Sequence, residues 1–270
     1  MGGLSVPEVV DGSLAGRSYA WLSPDLVRRI ASAETPKAKN TADAIKRTKR
    51  KLHQVFGAYV LNLKPEPAIA SIQQASAADG TAALAATARR LMAGHASSRE
   101  RLPELERFYR EVFAVTGVPA TLLDVACGLG PLAAPWMDLP CGTRIIACDV
   151  DRRIVEIVDS FLTAFGLAHD VTLCDVAQRL PDVEVDVALV LKTLPCLEQQ
   201  AAGAGASLLD RLPARHVVVS FPTRSLSGAG RGMEAHYRGV VDALLATRAL
   251  RCQTLPFSRE TVYVLTRTDV

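Results

Sequence analysis

"TLLDVACGLGPLAAPW", residues 121–136, decides the fold of this chain. It opens as a short apolar run of the kind that forms a buried strand, passes through Cys127-Gly128-Leu129-Gly130-Pro131, and closes on residues suited to start a helix. Glycines at such a turn let the backbone bend sharply and approach a ligand with no Cβ in the way. One strand–glycine–helix turn occurs in every α/β fold, so its meaning comes from what surrounds it.

Downstream, apolar runs recur at "RIIACD" (144–149), "VTLCD" (171–175), "VDVALVLK" (185–192), "HVVVSFP" (216–222) and "TVYVLT" (261–266). Between the first five runs lie "PLAAPWMDL", "RRIVEIVDSFLTAF" and "QQAAGAGASLLDRL", which can supply crossover helices. Strands that are apolar throughout and alternate with helices make a parallel sheet covered on both faces. The last two strands, about 252–256 and 260–266, are joined by "FSRE", so the sheet is expected to end in an antiparallel pair. Upstream, four helices are expected: "SPDLVRRIASAE" with Ser23 as N-cap and Pro24 in the first turn, a segment from Thr41, an alanine-rich one over 79–98, and "LPELERFYREVFAVTG" over 102–117. The expected organisation is a helical domain over 1–105 and a seven-stranded, mostly parallel α/β domain over 106–270.

In an open parallel sheet, ligands bind beyond the carboxyl ends of the strands. Three loops converge there. The glycine loop is the first. Asp149 ends the second strand, about 20 residues on, where a carboxylate accepts hydrogen bonds from ribose hydroxyls, while Asp151 suits the N-cap of the next helix. Asp175 ends the third strand, placed to accept the exocyclic amine of adenine, with the Val176 amide beside it. A dinucleotide would want a third glycine and a helix N-terminus at its pyrophosphate. Here position 133 is Ala, and Pro131 removes an amide donor. Ribose and adenine without phosphate point to S-adenosylmethionine.

Net charge is +3, unevenly spread: residues 1–110 hold 17 Lys/Arg against 10 Asp/Glu, and residues 111–270 hold 14 against 18. The basic half contains Lys46, Arg47, Lys49, Arg50 and Lys51, five cations in six positions, a pattern suited to tracking phosphates. The six cysteines form no Cys-x-x-Cys pair and have no His at zinc spacing, so free thiols in a reducing cytoplasm and no metal are expected. No apolar run nears the roughly 20 residues that span a bilayer. The Met-Gly start has the form of a myristoylation site, but the chain carries no second membrane signal.

Taken together, "DAIKRTKRKLHQVFGAY", "SSRERLPELERFYRE", "DVACGLGPLAAPWM", "LKTLPCLE" and "FPTRSL" resemble the aminoglycoside-resistance methyltransferases of 16S ribosomal RNA, in their actinomycete producer branch, over about residues 18–267. "CGLGPLAAPW" followed at this distance by "LKTLPCLE" is specific, since a generic methyltransferase has neither. The resemblance implies a Rossmann-like class I methyltransferase with an N-terminal helical domain. It also implies methyl transfer from S-adenosylmethionine to N7 of a guanine in the decoding site of the 30S subunit, by a monomeric cytoplasmic enzyme. Residue by residue it implies a cofactor site of Ala126, Gly128, Asp149, Asp175 and Val176, with Leu191 and Gln200 as one wall, Arg101 on the methionine carboxylate, and Tyr59, His95 and Ser97 nearby. Lys192 and Arg224 would contact RNA, Arg231 being a further candidate. Members of that family commonly carry Asn where this chain has Gly130. Guanine N7 presents its lone pair without deprotonation, so no catalytic triad is expected and none is visible. A small-molecule methyltransferase and a non-enzymatic RNA-binding module on the same fold remain open at this point. The first would have no need of the basic helices, and the second no need to keep Arg101, Asp149 and Asp175.

Overall fold

The computed structural model describes residues 4–16, 18–56, 64–223 and 233–268. Seven strands form one sheet: β1 (Thr121–Val125), β2 (Arg144–Asp149), β3 (Ala168–Leu173), β4 (Val185–Leu191), β5 (Ala214–Pro222), β6 (Leu250–Pro256) and β7 (Glu260–Arg267). Their spatial order is β3-β2-β1-β4-β5-β7-β6, with β1 to β5 parallel and β7 antiparallel to both neighbours. Strand order reverses between β1 and β4, which opens a crevice at their carboxyl ends.

Helices cover both faces because alternate residues of each strand point to opposite sides. Leu122 packs into one apolar cluster with α4 (Pro65–Asp79), α5 (Thr81–Ala93), α7 (Leu105–Thr116) and α8 (Arg152–Phe165). Leu123, one position on, packs into the other with α9 (Leu194–Glu198), α10 (Ala204–Arg211) and α11 (Met233–Ala246). A third cluster joins α1 (Val6–Leu14), α2 (Pro24–Glu34) and α3 (Thr41–Phe56) around Leu26, Val27, Ile30 and Leu52. The basic α1–α3 unit therefore has a core of its own, whereas α4, α5 and α7 share theirs with the sheet.

Local details follow from the sequence, with some differences. Helix α2 starts at Pro24 as expected, but α3 is capped one residue earlier than Thr41, the Asn40 side chain accepting the Asp43 N–H at 2.9 Å. Helix α1, nine residues holding a proline and a glycine, and the alanine-rich α4 carry too little periodic signal to stand out in the sequence. The expected helix after the glycine loop is instead a 3-10 segment, Gly130–Trp136. Pro131 and Pro135 each lack an N–H, so a regular α-helical ladder cannot form there. Among the described residues no helix is long and apolar enough to cross a membrane, and no cluster of metal-binding side chains occurs. All six cysteines are free thiols.

Candidate functional site

The site is built at the end of β1. Ala126 and Gly128 turn the chain with φ of 52° and 51°. At Gly128 a side chain is excluded twice: its positive φ disfavours L residues, and a Cβ would sit 2.7 Å from His95 Cε1. The Gly128 N–H donates to Asp149 Oδ2 at 2.9 Å, and the Asp151 N–H donates to Asp149 Oδ1 at 2.9 Å. Both bonds fix the carboxylate at the end of β2. Burial nevertheless pushes its pKa up to about 6, the N–H groups of Asp151 and Gly128 pulling the other way. Asp151 caps α8 as expected, accepting the Arg153 N–H at 2.9 Å.

A pocket opens on this turn. His95, Ser97, Arg101, Ala126, Gly128, Asp149, Leu191 and Lys192, all expected from the sequence, line it. Helix α6 (Ala96–Arg101) and its N-cap bring the first three. Ser18, Tyr19, Trp21 and Leu22, which the sequence did not single out, add a wall from the N-terminal unit. Backbone pairing holds that wall in place, the Ser23 N–H donating to the Val150 carbonyl at 2.8 Å and the Arg152 N–H to the Trp21 carbonyl at 2.9 Å. His95 is held neutral, its pKa lowered to about 4 by burial and then by Lys192 and Arg101. Its Nδ1 faces Ser98 Oγ at 3.0 Å.

Arg101 is not a free cation waiting for a ligand. Its Nε and Nη2 donate to Glu260 at 2.6 and 2.8 Å, and its guanidinium lies over the Phe108 ring at 4.5 Å. Glu260 takes one edge of the fork, so a ligand carboxylate must use the outer Nη1–Nη2 edge. Beside it lies Asp124, buried in β1. Asp124 Oδ2 has no hydrogen-bond partner among the described residues, and burial, with Asp149 nearby, drives its pKa well up despite Arg101. An acid inside the apolar run "TLLDV" was the sequence signal for it. Glu260 gave none, since it stands 159 residues from Arg101.

Gly130 makes room for that carboxylate: a Cβ there would meet Asp124 Oδ2 at 2.5 Å. Asp124 is too short and too enclosed to swing away freely. Gly130→Ala is expected to lower stability by about 1–3 kcal/mol, the range for overpacking a tight site. Denaturant melts of the two proteins check this, and an unchanged midpoint would mean that Asp124 moves at no cost.

Three expected cofactor residues lie elsewhere. Asp175, Val176 and Gln200 are outside the pocket lining. Arg29 of α2 donates to both oxygens of Asp175, at 2.7 and 3.2 Å, and to Gln200 Oε1 at 2.6 Å. The Val176 carbonyl accepts Arg211 at 2.8 Å. Lys192 takes φ of 58° and is buried, its Nζ paired with Glu100. On α3, Lys46 and Arg50 are exposed and Lys49 half-buried, while Arg47 pairs with Asp43 at 3.1 Å and Lys51 donates to the Gln199 carbonyl at 2.9 Å. Tyr59, Arg224 and Arg231 lie outside the described residues.

The pocket suits S-adenosylmethionine. The orphaned Asp124 oxygen and the pinned Asp149 offer acceptors to an ammonium and to ribose hydroxyls, and a 3-10 turn replaces the helix N-terminus that a pyrophosphate would need.

The model of the ribosomal RNA methyltransferase family FmrO matches residues 15–264. A Micromonospora echinospora protein named 16S rRNA (guanine(1405)-N(7))-methyltransferase is 40% identical over 96% of both chains. One of the same name from Serratia marcescens is 35% identical over 87% of both. The crystal structure of 16S rRNA methyltransferase RmtF with S-adenosyl-L-homocysteine superposes with a TM-score of 0.84 at 33% identity, covering 97% of this chain and 98% of that one. The 16S rRNA methylase RmtB gives 0.79 at 28% identity, covering 98% and 99%. A match of this length, running through the glycine turn, the Arg101 helix and the Lys192 loop alike, makes this chain a member of the FmrO family of ribosomal RNA methyltransferases.

Proposed function

We propose that this protein transfers a methyl group from S-adenosylmethionine to N7 of a guanine in the decoding site of 16S rRNA, within the 30S subunit, and so confers aminoglycoside resistance. The observation that carries this reading is the pocket at the ends of β1 and β2, with acceptors for an ammonium and a ribose and no phosphate cradle, in a chain of the FmrO family. The enzyme acts as a cytoplasmic monomer without a metal.

Bound S-adenosylmethionine supplies an electrophilic methyl group on a sulfonium. The outer edge of Arg101 holds the methionine carboxylate, Asp124 and the Ala126 carbonyl hold the ammonium, and Asp149 holds the ribose. Asp175 and the Val176 amide read the adenine, with Leu191 and Gln200 as walls. His95 and Ser97 border the site, and Tyr59 joins them by family resemblance. Neutral His95 adds no positive charge beside a cationic donor. No side chain need remove a proton, because N7 attacks through a lone pair it already has. Catalysis is positioning of that lone pair in line with the methyl group, assisted by carboxylates that tolerate positive charge passing to the base. Lys192 approaches the nucleotide by exchanging Glu100 for it.

Flipping the base out of its stack costs a few kcal/mol, which binding elsewhere must offset. Residues 1–105 dock the enzyme and residues 106–270 carry most of the chemistry, the α3 run of Lys46, Arg47, Lys49, Arg50 and Lys51 tracking phosphates, with Arg224 a further RNA contact. Replacing Arg47, Lys49 and Arg50 with alanine should make the salt dependence of 30S binding shallower by about 0.7–0.9 for each phosphate no longer neutralised. Filter binding across a salt series checks this. An unchanged slope would remove the run from the RNA surface.

The function itself is tested by incubating the enzyme with purified 30S subunits and labelled S-adenosylmethionine, then cleaving the RNA at 7-methylguanine by borohydride and aniline. A single break in the decoding site is expected. Label at another site, or transfer only to small molecules, overturns the proposal.

A further inference from the structure

One guanidinium gathers two acceptors that lie just outside the pocket lining. Arg29 Nε donates to Asp175 Oδ2 at 2.7 Å, and its Nη2 donates to Asp175 Oδ1 at 3.2 Å and to Gln200 Oε1 at 2.6 Å. Asp175 follows β3 and Gln200 follows α9, so Arg29 ties together two loops that the sheet leaves separate. The remaining donors to Asp175 are weaker: the Ala177 N–H at 3.2 Å, and the side chain of exposed Gln178 at 3.3 Å. Bidentate pairing to a charged fork fixes a carboxylate in orientation as well as place.

Arg29 does not reach this position by chance contact. Its helix is sewn to the catalytic sheet by the backbone pairs of Trp21 and Ser23, and by Gln178 Nε2 donating to the Asp25 carbonyl at 3.1 Å. The segment just before it already lines the pocket through Tyr19, Trp21 and Leu22. Gln200 connects back to the pocket wall, its Nε2 donating to the carbonyl of Cys196 at 3.2 Å.

We infer that Arg29 is a positioning residue of the cofactor site: from the N-terminal helices it aims Asp175 and Gln200 at the adenine. Selectivity for the adenine base therefore depends on a helix of the RNA-docking unit. The inference rests on the assignment of Asp175 to the exocyclic amine of adenine. That amine displaces the long Gln178 bond, while the Arg29 bonds stay and hold the carboxylate in register. Without Arg29 the carboxylate keeps only its weaker bonds, and the Gln200 side chain keeps only its bond to the Cys196 carbonyl.

The test uses the full chain and two probes, S-adenosylhomocysteine and S-inosylhomocysteine, whose base carries an oxygen in place of the amine. Wild type is expected to prefer the adenosyl compound. Arg29→Met should weaken it about tenfold or more, the loss expected when an acceptor's charge-assisted support goes, while barely changing the inosyl compound. Arg29→Lys, a point charge that cannot bridge three acceptors, should fall between, and it serves alone where Arg29→Met does not fold. An equal loss for both probes means that Arg29 only supports the fold, and unchanged or tighter adenosyl binding means that it is idle or competes with adenine; each overturns the inference. Asp175→Asn separates the two assignments. If it leaves the preference intact, the adenine role of Asp175 fails. If it abolishes the preference while the Arg29 variants retain it, only the role of Arg29 fails.

Discussion

Arg101→Met is expected to cost about 3–5 kcal/mol of stability, because it strands Glu260 as an unpaired charge in the interior. The two side chains are 4% and 2% exposed, so water cannot take over the missing bonds. Burial acts against both charges. Each partner outweighs it for the other, holding the Glu260 carboxyl below its ordinary range and the Arg101 guanidinium above its own. A carboxyl with a depressed folded pKa adds stability that is present above the ordinary carboxylate range. That stability is lost as pH falls from the ordinary carboxylate range through the folded value, so the pair contributes to acid unfolding at the low end of that range. The double variant Arg101→Met with Glu260→Leu removes both charges together and should recover most of the stability, since apolar replacement of a buried pair is often neutral. It should still fail to bind S-adenosylhomocysteine, having lost the outer edge of the fork. Guanidinium unfolding and calorimetric titration measure the two effects separately. A single variant as stable as wild type would show that the pair contributes nothing to the fold.

The second large effect is a pH dependence of cofactor binding centred on Asp149. Its folded pKa, raised to about 6 from 3.8, lies above the unfolded value. Between those values the folded chain holds a proton that the unfolded chain has released. Stability therefore declines as pH rises through this window, by roughly 3 kcal/mol in all at 1.4 kcal/mol per unit. At neutral pH the folded protein carries an ionised carboxylate whose burial is unfavourable, and in the proposed ribose role hydroxyls donating to it would relieve that cost. Below about pH 6 the ligand must compete with a proton. S-adenosylhomocysteine affinity should then drop by up to about tenfold per pH unit. Asp149→Asn should weaken binding about ten- to a hundredfold at neutral pH, the cost of losing one charged acceptor. It should also flatten the profile. A wild-type affinity constant from pH 5 to 8 would take Asp149 out of the ribose site.

What the sequence determined is local. Apolar runs specified strands β1 to β5 and β7, and the short "FSRE" link required the last pair to be antiparallel. Gly128 announced the turn because a residue without Cβ takes a positive φ at no cost, and Asp151 could be assigned as the cap of the next helix from its place just past the end of β2. The family motifs located Arg101 and Lys192 without saying what else would claim their charges. Tertiary structure decided that. Glu260 meets Arg101 only because β7 is inserted between β5 and β6, and Arg29 meets Asp175 only because α2 docks beside the loop after β3. Even the carboxylate that Gly130 accommodates depends on how tightly that segment is packed. Backbone preference and hydrophobic period act over a few residues and can be read in order. A charge finds its partner across the fold, where distance along the chain carries no information.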